Sequence, residues 1–196
     1  MTCNTLYSDG TGISGHSPTP RRESIESLAK HIRLLVLDVD GVMTDGGLYY
    51  DANGLVMKRF HVLDGIGIRL AKTAGIEVAV LGMDVPCVVR RLEVLGVTEY
   101  HGGADNKCTI LDGMRKRMSL EWQEIAYLGD DWVDLAPMSR VGLPAAVANA
   151  MPDVKKLAKF VTQKEGGCGA VREFVDLLLT CQGKREALLE HWMRLE

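Results

Sequence analysis

Apolar residues fall along the chain in short continuous runs that alternate with longer segments of helical spacing. Leu34 to Leu37, Ile76 to Leu81 and Ile125 to Leu128 are too short for helices and too continuous for half-exposed strands. They predict strands buried within a sheet. Further short strands are expected at Thr98 to Tyr100, Ala145 to Ala148 and Phe160 to Thr162. Between them lie helical segments at Gly65 to Ala74, Val85 to Leu95, Asn106 to Met118, Trp132 to Arg140, Pro152 to Ala158 and Ala170 to Cys181. Gly75 and Gly96 stand where the first two helices should stop. Leu48 to Tyr50 and Leu55 to His61 flank Asp51-Ala52-Asn53-Gly54, a hairpin signal with Asn-Gly at its turn. Arg185 to Leu195 has the pattern of one more amphipathic helix.

Strands alternating with helices predict an α/β fold, a Rossmann-like parallel sheet with helices on both faces and right-handed crossovers. The expected organisation is a flexible extension over 1–24, one domain over 25–183 and a C-terminal tail over 184–196. The extension is rich in Ser, Thr, Gly and Pro, and no internal repeat is visible. In such sheets a ligand sits beyond the carboxyl ends of the strands.

The carboxylates stand at those ends. Asp38-Val39-Asp40-Gly41 follows the first strand, and the two acids, two residues apart, can leave it on the same side. Gly129-Asp130-Asp131 follows a later strand. Carboxylates converging on one crevice repel one another unless a cation lies between them, and oxygen-only ligands favour magnesium. A phosphate held there needs a nucleophile, an acid for the leaving group and positive charge on its oxygens. Asp38 suits the first role and Asp40 the second. Lys107, at the start of a helix whose N–H groups favour anions, suits the third.

Composition narrows the partners. A net charge of −3 gives no sign of nucleic-acid binding, and Arg21-Arg22 and Arg115-Lys116-Arg117 read as solvated surface. No apolar run is long enough for a membrane helix, and the N-terminus lacks the pattern of a secretory signal. Five cysteines, none closely paired, argue against a disulfide framework or zinc site and for a reducing cytoplasm.

The run Asp38-Val39-Asp40-Gly41-Val42-Met43-Thr44-Asp45-Gly46, with Lys107 and Gly129-Asp130-Asp131, resembles the haloacid dehalogenase phosphatases. From about Leu34 to Gly183 the resemblance narrows to those acting on acidic sugar phosphates. It includes the hairpin Gly47 to Phe60, Asp64 to Arg69, Asn106-Lys107 and Gly166 to Glu173. The resemblance implies a capless fold with a protruding hairpin and a magnesium-dependent phosphomonoester hydrolase working through an aspartyl-phosphate. The implied substrate is 3-deoxy-D-manno-octulosonate 8-phosphate, a lipopolysaccharide precursor, with a nonulosonate 9-phosphate or another phosphosugar as alternative. It further implies a homotetramer built through the hairpins, in which a neighbour closes each site and Gly166 to Gly169 reaches towards an active site. Magnesium would be held by Asp38, Asp130 and the main-chain carbonyl of Asp40.

The match has gaps. At the second motif, Leu81-Gly82-Met83 lacks the usual hydroxyl residue, taken to correspond to Leu81. One lost donor of that kind costs roughly 10²–10³ in rate. Leu63 and Cys168 stand where the family often has basic residues. These changes support a second reading, a tetrameric scaffold or regulatory domain with a weakened active site; the retained Asp38, Asp40, Lys107 and Asp130 argue against it. Asp131, Gly82, Lys58 and Arg69 complete the candidate surroundings of substrate and metal. Plainer readings exist: Asp131 as a helix cap, Asp134 as an exposed helix residue, Asp45 as a cap of the hairpin. Lys58 and His61 would by default point outward from a hairpin strand, Arg69 would be a surface or interface charge, and Arg172 would pair with Glu173.

Overall fold

The computed structural model describes residues 23–103 and 106–194. The extension expected over 1–24 lies outside them as far as Arg22, as does the end of the tail. The chain enters through a short helix, α1 (Ile25–Ala29), and runs into β1 (Leu34–Asp38), whose residues are all buried. A tight turn over 39–43 leads to the hairpin of β2 (Tyr49–Asp51) and β3 (Gly54–Met57). Helix α2 (Val62–Thr73), β4 (Glu77–Gly82), α3 (Pro86–Leu95) and β5 (Glu99–Gly102) follow. The second half contains α4 (Lys107–Arg117), β6 (Ile125–Gly129), α5 (Leu135–Met138), β7 (Leu143–Ala146), α6 (Pro152–Leu157), β8 (Phe160–Val161), α7 (Ala170–Cys181) and α8 (Arg185–Met193).

Among the described residues six strands form one parallel sheet in the order β5-β4-β1-β6-β7-β8, while β2 and β3 pair only with each other. The chain leaves β1 towards β4 and β5, then returns past it to β6, β7 and β8. The crevice between β1 and β6 is therefore the switch point of the topology, where a ligand site is expected. Each fully buried Leu or Val of β1 contributes about 1.5–3 kcal/mol relative to exposure, so this strand anchors the core and, at its end, the site. Helices α1, α2 and α7 pack together, and α4, α5 and α6 form a second contiguous group. Among the described residues no helix is long and apolar enough to cross a membrane.

Several boundaries differ from the sequence reading. Helix α2 begins at Val62, three residues before the expected Gly65. The glycines in its middle are there for packing: a Cβ on Gly67 would lie 3.0 Å from the backbone of Arg172 in α7. Strand β3 ends at Met57 rather than His61; Phe60 makes a bridge with Thr44, and His61 becomes the N-cap of α2. The single helix expected over Trp132 to Arg140 is a 3₁₀ turn at Trp132–Asp134 followed by the short α5. Strand β7 begins at Leu143 and includes Pro144, whose carbonyl accepts from the Lys159 N–H at 2.8 Å just before β8 begins, so the N–H that proline lacks is one that would have pointed past the start of β8.

Candidate active site

Strand β1 carries Asp38 to the crevice, and the turn behind it is tied by one side chain. Thr44 is buried; its hydroxyl donates to the Val39 carbonyl at 3.3 Å and accepts from the Gly41 N–H at 3.3 Å. Gly41 has φ +78°, and a Cβ there would run into the Asp130 carboxylate. The chain returns over this turn at Gly166, whose own Cβ would strike the Gly41 carbonyl. Asp64 fixes that returning segment, accepting from the N–H groups of Gly169 at 3.2 Å and Arg172 at 2.9 Å.

Lys107 opens α4 beside the N-cap Asn106, which accepts from the Thr109 N–H at 3.0 Å. Its Nζ lies 2.7 Å from Asp38 Oδ1 and 2.8 Å from Asp134 Oδ1, and all three side chains are buried. Asp134 also accepts from the Tyr127 hydroxyl at 2.7 Å and from the Asp130 N–H at 3.0 Å. Asp134 thus stands at the centre of the cluster, contrary to its reading as an exposed helix residue. Asp131 is the cap: it is exposed and accepts from the Trp132 N–H at 2.6 Å, in a reciprocal box with Asp134.

One lysine faces three carboxylates, and the imbalance appears in their titration. Burial, then the charge of Asp134, pushes Asp38 up to about 6 despite Lys107. Burial, then the charges of Asp38, Asp134 and Asp131, pushes Asp130 up to about 8. Burial works to lower Lys107, but Asp38 and Asp134 outweigh it and hold it above its ordinary value. Burial and the neighbouring Asp134 keep Tyr127 protonated as a donor.

The cluster has the chemistry of a hard-cation site. Ligand oxygens of Asp38, Asp130 and Asp134 lie within 4.8 Å of one another. Both oxygens of Asp134 are engaged by hydrogen bonds, whereas among the described residues Asp130 Oδ1 is buried with no hydrogen-bond partner. An unpaired carboxylate oxygen beside Asp38, in an all-oxygen set, fits a divalent cation of the magnesium kind. Asp38 and Asp130 would be ligands, and Asp134 would orient what surrounds them.

Beside this cluster opens a cleft of about 330 Å³, lined by Asp38, Asp40, Gly82, Met83, Gly103, Lys107 and Val133. Asp40 is partly exposed, and Lys58 Nζ lies 2.6 Å from each of its oxygens. Lys58 is fully buried, so it points inward rather than outward from the hairpin. Arg69 is exposed on α2, donates to the Val94 carbonyl at 3.3 Å and does not border the cleft. Leu81 is fully buried in register with Asp38; the residue bordering the cleft is Gly82, one position later. A Cβ at Gly82 would lie 2.5 Å from Val39 Cγ2, so the neighbouring strand end fills the space a larger residue there would need.

The remaining candidates are structural or peripheral. Asp45 accepts from the Gly47 N–H at 3.0 Å and pairs with Arg59 at 3.1 Å, orienting the start of the hairpin. Arg172 pairs with Asp176 at 3.0 Å, not with Glu173, which accepts from the N–H groups of Gln163 and Lys164. Cys168 and Leu63 are exposed. Sequence reasoning missed Tyr127 and took Asp134 for an exposed helix residue, although the resembled family often has an acid there; the spacing Asp131-x-x-Asp134 at a helix start was a further signal for it.

Residues 100–174 match the model of the haloacid dehalogenase-like hydrolases. The chain is 43% identical over 166 residues to the 3-deoxy-D-manno-octulosonate 8-phosphate phosphatase of Escherichia coli K12, covering 84% of this chain and 88% of that protein. It is similar to the Moraxella catarrhalis phosphatase of the same name, solved with magnesium, phosphate and a KDO molecule, with a TM-score of 0.83 and 35% identity over 85% of this chain and 97% of that one. The cobalt-bound phosphatase of Haemophilus influenzae matches with a TM-score of 0.78 and 42% identity over 80% and 92%. With its parallel sheet, its acidic crevice at the switch point and these relatives, the chain belongs to the haloacid dehalogenase-like hydrolases and is a phosphatase of that family.

Proposed function

We propose that the chain hydrolyses 3-deoxy-D-manno-octulosonate 8-phosphate, or a closely related acidic sugar phosphate, through a phosphoryl group carried on Asp38. The observation that carries this reading is the meeting of Asp38, Asp40 and Lys107 in the lining of one cleft, with Lys107 Nζ 2.7 Å from Asp38. Asp38 attacks phosphorus; Asp40 protonates the departing sugar oxygen and later takes a proton from the attacking water. Lys107 holds Asp38 in place and offers positive charge to the phosphate. Magnesium, held by Asp38, Asp130 and the main-chain carbonyl of Asp40, would supply charge neutralisation for the phosphate oxygens. The names of the E. coli and M. catarrhalis relatives support the substrate class.

We further read the protein as a homotetramer joined through its hairpins. Leu48, Tyr49, Tyr50 and Met57 are exposed there, a density of apolar side chains that favours association. The test is phosphate release from 3-deoxy-D-manno-octulosonate 8-phosphate, a nonulosonate 9-phosphate and neutral sugar phosphates, with and without magnesium. Magnesium-dependent release, fastest from an acidic sugar phosphate, is expected. Preference for a neutral sugar would overturn the substrate assignment; no release at all would overturn the enzymatic reading.

A further inference from the structure

The geometry points to Lys58 as a positioning residue that fixes the Asp40 carboxylate for attack of water on the phosphorylated Asp38. The inference rests on the phosphatase reading and adds to it a component carried by the hairpin.

Lys58 follows the last residue of β3. Its neighbours Met57 and Arg59 are exposed, and Arg59 turns outward to pair with Asp45. Lys58 therefore points the opposite way, inward, where its side chain is fully buried. A buried ammonium needs a partner, because stripping its water without compensation is costly. Among the described residues its ion-pair partner is Asp40, with Nζ 2.6 Å from both oxygens. The symmetric grip fixes the rotation of the carboxylate as well as its distance. Asp40 itself is partly exposed and lines the cleft, so without Lys58 it could rotate into water.

A purely structural role for the pair would be to staple the hairpin to the turn after β1. The Thr44–Phe60 bridge and the Arg59–Asp45 pair already make that connection. Lys58 is distinguished from them by holding a group in the cleft.

In the step concerned, water oxygen attacks phosphorus, the bond from phosphorus to the Asp38 oxygen breaks, and the Asp38 carboxylate is restored. The proton released by the water passes to Asp40. Orientation of Asp40 governs this step directly. Formation of the phosphoenzyme from an ester with a good leaving group, such as 4-nitrophenyl phosphate, does not need an acid at the leaving oxygen. Correctly placed acid–base groups contribute roughly 10²–10⁴ in rate, and misplacing one forfeits part of that.

The test compares wild type, Lys58→Met, Asp40→Asn and the double variant on 4-nitrophenyl phosphate with magnesium, by rapid mixing and at steady state. Wild-type turnover is measured first; its absence would remove the phosphatase reading itself, separately from any effect of Lys58. Lys58→Met is expected to slow steady-state turnover by about 10–100-fold while retaining a fast burst of nitrophenolate, as phosphoenzyme accumulates. In the Asp40→Asn background, removing Lys58 should cost little more, because its effect passes through Asp40. Unchanged turnover, burst and turnover slowed together, or a full further loss in the Asp40→Asn background would each overturn the inference. If Lys58→Met does not fold, Lys58→Arg keeps the charge and shifts the donor. It should show the same burst with a smaller loss of turnover, and burst and turnover slowed together would overturn the inference equally.

Discussion

Replacing Asp134 by alanine should destabilise the protein by about 3–5 kcal/mol, although the residue lies outside the two acidic motifs that mark the site in the sequence. The figure follows from its partners. Tyr127 Oη at 2.7 Å and the Asp130 N–H at 3.0 Å both donate to it, and both are neutral groups that would lose their acceptor. Each buried donor left unpaired costs about 1–3 kcal/mol. Lys107 loses one of two anionic partners but keeps Asp38 at 2.7 Å, so its share is well below that of a fully orphaned charge. Relief of repulsion works in the other direction, since Asp134 is one of the charges raising Asp38 and Asp130. For a chain of this size the loss corresponds to roughly 6–20 °C in Tm. Asp134→Asn keeps an acceptor and the shape, and should lose about 1–2 kcal/mol. Urea and thermal unfolding of wild type and both variants, in chelator at pH 7, measure this. A loss below about 1 kcal/mol for the alanine variant would refute the view of Asp134 as the buried hub of the site.

Further predictions concern the metal, the second motif and the returning segment. Carboxyls raised from near 3.8 to about 6 at Asp38 and about 8 at Asp130 bind more protons folded than unfolded, so in chelator these groups make the fold less stable as pH rises from about 4 to about 8. The rise in Tm on adding magnesium should accordingly be larger at pH 8 than at pH 5; equal increments would contradict the assignment of Asp38 and Asp130 as ligands. Leu81→Thr should not raise turnover, because the side chain is buried in the core, and its hydroxyl should cost about 1–3 kcal/mol in unfolding experiments. A gain in phosphate release would place this residue in the cleft after all. Gly166→Ala should lower stability by about 1–3 kcal/mol and slow turnover, since its methyl group displaces the Gly41 carbonyl and the turn that carries Asp40; unchanged kinetics would separate this contact from the site.

The sequence made the floor of the site legible because its acids directly follow buried strands. Continuous apolar runs locate the strands, and the topology of a parallel sheet then brings Asp38 and Asp130 to the same crevice. That very continuity hid the register at the second motif. A strand apolar on both sides has no alternation to show which residue faces the cleft, so Leu81 was taken for the position that Gly82 occupies. The inward course of Lys58 was hidden for a different reason. The hairpin pattern does not fix the pairing register, which shifts between Tyr49 and Tyr50, and a slip of one residue reverses which side chains face in. Asp134 and Arg69 each stand as a lone charge among mostly apolar neighbours of a helical segment, and only the packing of neighbouring elements sends the first to the centre of the site and leaves the second on the surface. The haloacid dehalogenase resemblance, resting on motifs spread over the chain, did not depend on any of these directions.

The central claim is that Asp38 carries the phosphoryl group, and acid quenching during turnover followed by mass analysis of the peptides tests it most directly. The account predicts a phosphoryl adduct on Asp38 in the wild type, more of it in Lys58→Met, and none in Asp38→Asn. Full turnover with no adduct on Asp38, or an adduct on another side chain such as Asp40, would contradict it.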